Sequence, residues 1–265
     1  MRPIIASPNW SDVATLTANS EHSEAIATQL QEIQPKHFWQ STTDTGVFLS
    51  LNRGSSEDWN LVALLFHNLS TSATIRIRAD DVLGNLTTSP DHDSTALSAW
   101  QSQDLSTWSR RHFVYWPGTQ ETHQYMRIDL EDASNPDGVL RAGRLYVSQA
   151  WQSSIHMQLG LQYGYDDLAS IQQSAIDGTT FIREIARPLH AQFTLGYLTE
   201  AEYMDNLFEL TRLRGMSQDI LLVMDTPPIS YLQSKILYGR FAGSLPFVRP
   251  QISRFEQRIE AVELL

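Results

Sequence analysis

Two runs decide the fold: Leu61-Val62-Ala63-Leu64-Leu65-Phe66-His67-Asn68-Leu69-Ser70 and, two residues on, Ala73-Thr74-Ile75-Arg76-Ile77-Arg78. The first opens with a strand-length apolar stretch. The second alternates apolar and charged residues, as a half-buried strand does. His67-Asn68-Leu69-Ser70 between them is turn chemistry. Working outward, Val47-Phe48-Leu49-Ser50-Leu51 is strand-length, and Tyr125-Met126-Arg127-Ile128-Asp129-Leu130 alternates again. Ser134-Asn135-Pro136-Asp137-Gly138 is a second turn, followed by Arg144-Leu145-Tyr146-Val147. Short strands joined by polar loops predict a β-sandwich or jelly roll over the first half of the chain.

All seven tryptophans (Trp10, Trp39, Trp59, Trp100, Trp108, Trp116, Trp151) lie in the first 151 of 265 residues, which predicts two domains, 1–152 and 153–265. The second is mixed. Thr199-Glu200-Ala201-Glu202 is a capping box, Tyr203, Leu207, Leu210 and Arg214 form a helical stripe with Met204 and Phe208 beside it, and Gly215 stands where a C-terminal cap belongs. One helix over 199–215 follows from this. Strands are expected at 220–224, at 234–241 after Asp225-Thr226-Pro227-Pro228, and across 251–262.

Composition excludes several classes. The net charge of −11 (−7 in 1–152, −4 in 153–265) argues against a nucleic-acid binder, which needs a surface that neutralises phosphate. The 19 basic residues are all Arg except Lys36 and Lys235, and Arg is the base suited to bidentate pairing. Without cysteine there are no disulfides, thiolate metal sites or thiol nucleophiles. No apolar run reaches the length of a membrane helix, and the first residues do not form a secretion signal, so the Asn68-Leu69-Ser70 and Asn85-Leu86-Thr87 glycosylation patterns carry no consequence.

Known catalytic and cofactor motifs are absent: no G-x-S-x-G, phosphate loop, G-x-G-x-x-G or H-E-x-x-H occurs. No enzyme, cofactor or metal site is expected. Asp91-His92-Asp93 and Asp80-Asp81 have the oxygen-rich character calcium uses, but no EF-hand spacing, and a solvated loop accounts for them. Asp166-Asp167 point to opposite faces if on a strand, which weakens a paired-carboxylate reading. His112, beside Arg110 and Arg111, fits packing or surface. Trp100, Trp108 and Trp116 recur every eight residues; they are either sandwich core or faces on which sugar rings stack.

Phe38-Trp39-Gln40-Ser41, the two runs quoted first, Tyr125-Met126-Arg127-Ile128, Asn135-Pro136-Asp137-Gly138 and Ala142-Gly143-Arg144-Leu145 together resemble a galactose-binding-like (discoidin-type) jelly roll, in the version carried by siphophage and prophage tail proteins. Ser174-Ala175-Ile176-Asp177-Gly178, the 199–215 helix, 220–225 and Tyr238-Gly239-Arg240-Phe241 are similar to tail-tip proteins. The resemblance implies a mainly β chain, with a jelly roll over 1–152 and an α+β tail-tube or distal-tail-like β-sandwich over 153–265. It implies a structural component of the distal end of a long non-contractile bacteriophage tail. Such a protein is made in the host bacterial cytoplasm and built into the virion as part of an oligomeric ring, with tail-tube and hub proteins and copies of itself as partners. The alternative it carries is a carbohydrate-binding adhesin that contacts host glycans through the jelly roll. No residue maps onto a defined sugar site.

Overall fold

Ile75 and Ile77 are buried in the computed structural model of the chain, Arg76 between them is half-exposed, and Arg78 is buried against Asp129. The model describes residues 1–101, 111–173, 178–227, 231–243, 246–251 and 254–265. Trp108, Arg110, Ser174–Asp177 and Pro228 of the sequence analysis lie outside the described residues. The chain is mainly β, and it divides into two compact units: Met1–Ser153 with Ile220–Ile236, and Ser154–Asp219 with Leu237–Leu265.

The first unit contains β1 (Ile4–Ala6), β2 (Thr15–Ala18), β3 (Trp39–Gln40), β4 (Val47–Trp59), β5 (Leu61–Leu65), β6 (Thr74–Asp80), β7 (His92–Asp93), β8 (Leu97–Ser98), β9 (His112–Tyr115), β10 (Glu121–Glu131), β11 (Arg141–Ala142), β12 (Arg144–Ser148) and β13 (Trp151–Gln152). One antiparallel sheet runs β2-β4-β10-β6-β7, with β8 on β6; a second runs β12-β5-β9; β3 pairs with β11. In the larger sheet the register aligns Val47, Leu130 and Ile75 across three strands, then Leu49, Ile128 and Ile77, then Leu51, Met126 and Ala79. These rows meet Val62, Leu64, Phe113, Leu145 and Val147 of the second sheet in one buried core, which makes a jelly-roll-type sandwich. Burying rows of branched side chains on the facing sides is what a period-2 pattern is for.

The three-stranded sheet has its apolar strand β5, buried throughout, in the middle. Its two outer strands would leave backbone groups unpaired. On β12 the Asn9 side chain stands in for a neighbouring strand: its Nδ2 donates to Leu145 O (2.9 Å) and its Oδ1 accepts from Val147 N (2.9 Å). On β9, Gln233 Oε1 accepts from His112 N (2.7 Å) while its Nε2 donates to His112 O. Gln101 engages Val114 N and O in the same way. Next to Asn9, the fully buried Arg144 forms a fork on Asp12 through Nη1–Oδ1 (2.7 Å) and Nη2–Oδ2 (2.8 Å).

Gln233 comes from late in the chain, as does β18 (Ile220–Val223), which pairs with β1 through Ile4↔Val223 and Ile5↔Leu222. The contiguous domain expected over 153–265 therefore differs from the observed division at Ile220–Ile236, which belongs to the first unit. The physical reason is this backbone and side-chain pairing, which no local pattern carries.

The second unit holds β14 (Gln162–Tyr165), β15 (Ser170–Gln173), β16 (Thr180–Arg183), β17 (Leu189–Leu198), β19 (Ile236–Phe241), β20 (Phe247–Gln251) and β21 (Arg254–Glu263). β21 pairs with β19, β20 and β17, and β14 pairs with β17; β15 and β16 form a separate hairpin. The helix lies at 200–214 and includes a π-helical stretch, Tyr203–Phe208. Thr199 Oγ1 accepts from Glu202 N (3.2 Å), but the Glu202 carboxylate turns to Ser154 N and Oγ (both 2.8 Å) instead of the cap amide. Only half of the expected capping box forms. The wider π turns leave Phe208 exposed while Tyr203 and Leu207 stay buried, Tyr203 stacking on Phe255 at 5.1 Å. The strand expected from 234 begins at Ile236, because Tyr231, at φ +59°, opens a 3-10 turn over Leu232–Lys235 closed by Ser234 N to Tyr231 O.

The Asp12–Arg144 pair should respond asymmetrically. Asp12→Ala strands a buried cation and should cost about 3–5 kcal/mol, whereas Arg144→Met leaves a partly exposed carboxylate that water can reach and should cost less. Gln233→Ala, leaving the His112 backbone unpaired, should cost about 1–3 kcal/mol. Urea unfolding of the three variants measures all of these, and equal losses for Asp12→Ala and Arg144→Met would contradict the asymmetry.

Candidate functional site

The sequence candidates among the described residues are placed as follows. Asp80 Oδ1 accepts from Val82 N (2.6 Å) and Asn85 Nδ2 (3.3 Å), and its Oδ2 from Asp91 N (3.1 Å), so this carboxylate organises the loop after β6. Asp81 Oδ1 accepts from Ser56 Oγ and Gln124 N, which hold its carboxyl below the usual range. Asp93 is bound by Arg76 and held down to about 2. Among the described residues no group of three or more His, Asp or Glu side chains is arranged to hold a metal. Asp167 pairs with Arg187 at 3.2 Å and accepts from Ala169 N. His112 is buried beneath Phe66, ring centroids 4.8 Å apart. Trp100 is core: its Nε1 donates to Leu69 O (2.8 Å) and the Arg111 guanidinium lies 5.0 Å above its ring. It offers no free face for stacking. Trp116 is half-buried.

Beside the β3–β11 pair stands a solvent-facing aromatic ring with polar neighbours. Phe38, immediately before β3, is 40% exposed, while its neighbour Trp39 is fully buried. The β3–β11 pairing sets Arg141 opposite Gln40, and Arg141 Nε donates to Gln40 Oε1 at 2.8 Å. That bond leaves the guanidinium carbon 5.8 Å from the centre of the Phe38 ring and an Nη 3.8 Å from the Asp137 carboxylate. Both charged side chains are over two-fifths exposed.

The loop beneath them is rigidly built. Asn68 Oδ1 accepts from Arg141 N (2.7 Å), and its Nδ2 donates to Val139 O (2.9 Å) and Asp137 Oδ2 (3.0 Å). Asp137 N donates to Asn135 Oδ1 (2.9 Å), an Asx turn that Gly138 completes at φ +66°. The buried Asp132 accepts from Asn135 Nδ2 (2.9 Å) and from Ser70 N (2.7 Å). Gly143 brings the chain at Pro35 close: a β-carbon there would sit 2.6 Å from Pro35 O. The result is a solvent-facing aromatic ring flanked by a cation, a carboxylate and the Gln40 amide, on a backbone that costs little to order.

A second cluster lies at the far ends of β4 and β9. Buried Trp59 donates from Nε1 to His123 Nδ1 (3.3 Å) and meets His92 edge-on, ring centroids 5.0 Å apart. His92 Nε2 lies 3.1 Å from Tyr115 Oη and its Nδ1 3.5 Å from Glu121. Burial lowers the His92 pKa, with Glu121 opposing, and raises that of Tyr115. Five residues from four strands meet here, Trp59 and His123 buried and the other three partly exposed, and no sequence motif joins them.

No family model matches the chain, and no curated protein matches it significantly. Among solved structures it is similar to the family 32 carbohydrate-binding module of C. perfringens NanJ in complex with galactose, at 14% identity over 54% of this chain and 98% of that one, TM-score 0.41. It is also similar to the lectin domain of lectinolysin complexed with Lewis B antigen, at 10% identity over 54% and 96%, TM-score 0.39. A fucose-binding module of Streptococcus pneumoniae is similar at 10% identity over 54% and 95%, TM-score 0.39.

The buried His67 makes stability depend on pH. Burial first, then the nearby His112 and Arg111 charges, push the His67 imidazole down from 6.5 to about 3. The unfolded chain takes up the proton near 6.5 and the folded one resists it. The stability carried by the neutral ring is therefore complete above that pH and is lost as the pH falls toward about 3. At about 1.4 kcal/mol per unit, His67 should lower stability by about 2–3 kcal/mol between neutral pH and pH ~4.5. Urea titrations at the two pH values should show His67→Leu losing that part of the difference; an unchanged difference would refute the assignment.

Proposed function

We propose that this chain is a non-catalytic glycan-binding protein whose jelly-roll unit takes a sugar at the Phe38–Arg141 end. The observation that carries this reading is the exposed Phe38 ring beside Arg141, Gln40 and Asp137. A sugar presents an apolar C–H face and a rim of hydroxyls. The ring supplies a surface for the first, and the guanidinium, carboxylate and amide supply charge-assisted and neutral hydrogen bonds for the second. Because Asn68, Asp132 and Asn135 hold the loop in place, binding orders little further chain.

A second reading makes the chain a structural component of the distal end of a long non-contractile bacteriophage tail, produced in the bacterial cytoplasm, incorporated in the virion and associated with tail proteins and further copies of itself. The exposed apolar hairpin β15–β16 of the second unit favours it, since such a surface suits assembly. The two readings are compatible, with glycan contact in one unit and assembly in the other.

A glycan array probed with the full chain, followed by calorimetry with galactose and fucose, tests the first reading. The parent should bind at least one glycan, and Phe38→Ala and Arg141→Ala should each weaken it at least about tenfold, on the order of 1.4 kcal/mol or more, with unchanged melting. Trp100→Ala should act through stability alone. Absence of binding across the array by the folded parent sinks the proposal.

A further inference from the structure

We infer that Arg111, the residue before β9, is a positioning residue for the Phe38–Arg141 end, and that it sets the guanidinium beside Phe38 by holding Asn68 in place. The inference rests on the glycan reading and says how that site is kept in register. Both backbone groups of Arg141 end on Asn68: Arg141 N donates to Asn68 Oδ1 (2.7 Å), and Asn68 N donates to Arg141 O (3.2 Å). The backbone of Arg141 therefore goes where Asn68 goes. Asn68 lies beyond the end of β5 at Leu65 and outside every named strand, so sheet pairing does not fix it.

Arg111 does. Its carbonyl accepts from His67 N (3.0 Å), and its Nη1 donates to Asn68 O (3.3 Å) and Leu69 O (3.1 Å). One residue thus staples three consecutive residues, His67, Asn68 and Leu69, through its carbonyl and its guanidinium. The backbone of Arg111 is steadied in turn by its neighbour, because Gln233 engages both N and O of His112. Asn135 Nδ2 also donates to Asn68 O, but at 3.4 Å and from a neutral group. A bond from a cation is the stronger kind, and two carbonyls lose that donor together when the guanidinium is removed. Without the staple Asn68 takes a wider range of positions, and the Arg141 backbone follows it. Arg141 then loses its fixed orientation beside Phe38, and a sugar has to order it on binding, which costs affinity.

Amide hydrogen exchange on the full chain, followed by NMR, reads the staple without any sugar. Arg111→Met, with a comparable stem and no donor, should speed exchange at the Arg141 amide about tenfold relative to that of Ile128, which lies within β10 and is paired on both sides. Arg111→Lys, which keeps a charged donor, should speed it less, and serves alone if the Met variant does not fold. Calorimetry with galactose and fucose should show Arg111→Met weakening whichever sugar the parent binds by about fivefold, and Arg111→Lys weakening it less. An Arg141 amide that exchanges at the parent's rate in both variants overturns the inference. Acceleration by the same factor at Arg141 and Ile128 is a general loss of stability and overturns it too. So does undiminished sugar affinity in a variant whose Arg141 amide is accelerated. A parent that binds no glycan sinks the sugar reading instead, and the exchange rates alone then decide what Arg111 holds.

Discussion

Asn9, Gln233 and Gln101 each present a side-chain amide to the outer edge of the three-stranded sheet, with the carbonyl accepting from a backbone N–H and the NH2 donating to a backbone C=O. An amide side chain is the same chemical group as a peptide unit. It satisfies the outward donors and acceptors of β12 and β9 as another strand would, without adding one. The sheet can thus be only three strands wide and still cover the larger sheet. The Arg144–Asp12 fork beside Asn9 holds the first turn of the chain on the same edge.

The same device recurs where the sheets hand over to loops. Asn60 clamps Ala150 through both N–H (2.7 Å) and C=O (3.0 Å), and Asn68 clamps Arg141 and Val139. The Asn68 clamp connects the fold to the candidate site. It fixes the backbone of Arg141, and the β3–β11 pairing then fixes the side chain through Gln40, so the guanidinium beside Phe38 is oriented before any ligand arrives. The chemistry of the exposed end therefore follows from how buried loop polar groups are satisfied.

Strand positions were legible because burial on one face writes itself into local alternation: 73–78 and 125–130 became neighbouring strands with their isoleucines inward. The turn at 135–138 was legible because Asn, Pro, Asp and Gly each have a local conformational reason to be there. What could not be read were relations between distant residues. Nothing around Gln233 marks it as the cap of an edge strand at His112, so the discontinuous first unit was out of reach. The gathering of Trp59, His92, Tyr115, Glu121 and His123 depends on strand order, which spacing along the chain does not encode. Trp100 drew attention by its regular spacing, yet the backbone acceptor at Leu69 and the Arg111 cation make it a core residue. Phe38 had one available signal: a large aromatic next to Trp39 at the start of a strand, where alternation allows only one of the two to be buried.

Edge protection also separates what the two units are free to do. In the first unit amide side chains occupy the outer hydrogen-bonding groups of β12 and β9, so another chain cannot add a strand there without displacing them. The β15–β16 hairpin has no comparable cover: among the described residues its two strands pair only with each other, and its apolar side chains face water on both sides. The two units thus treat their strand edges differently, one closing them with amide side chains and the other leaving apolar side chains of β15 and β16 exposed.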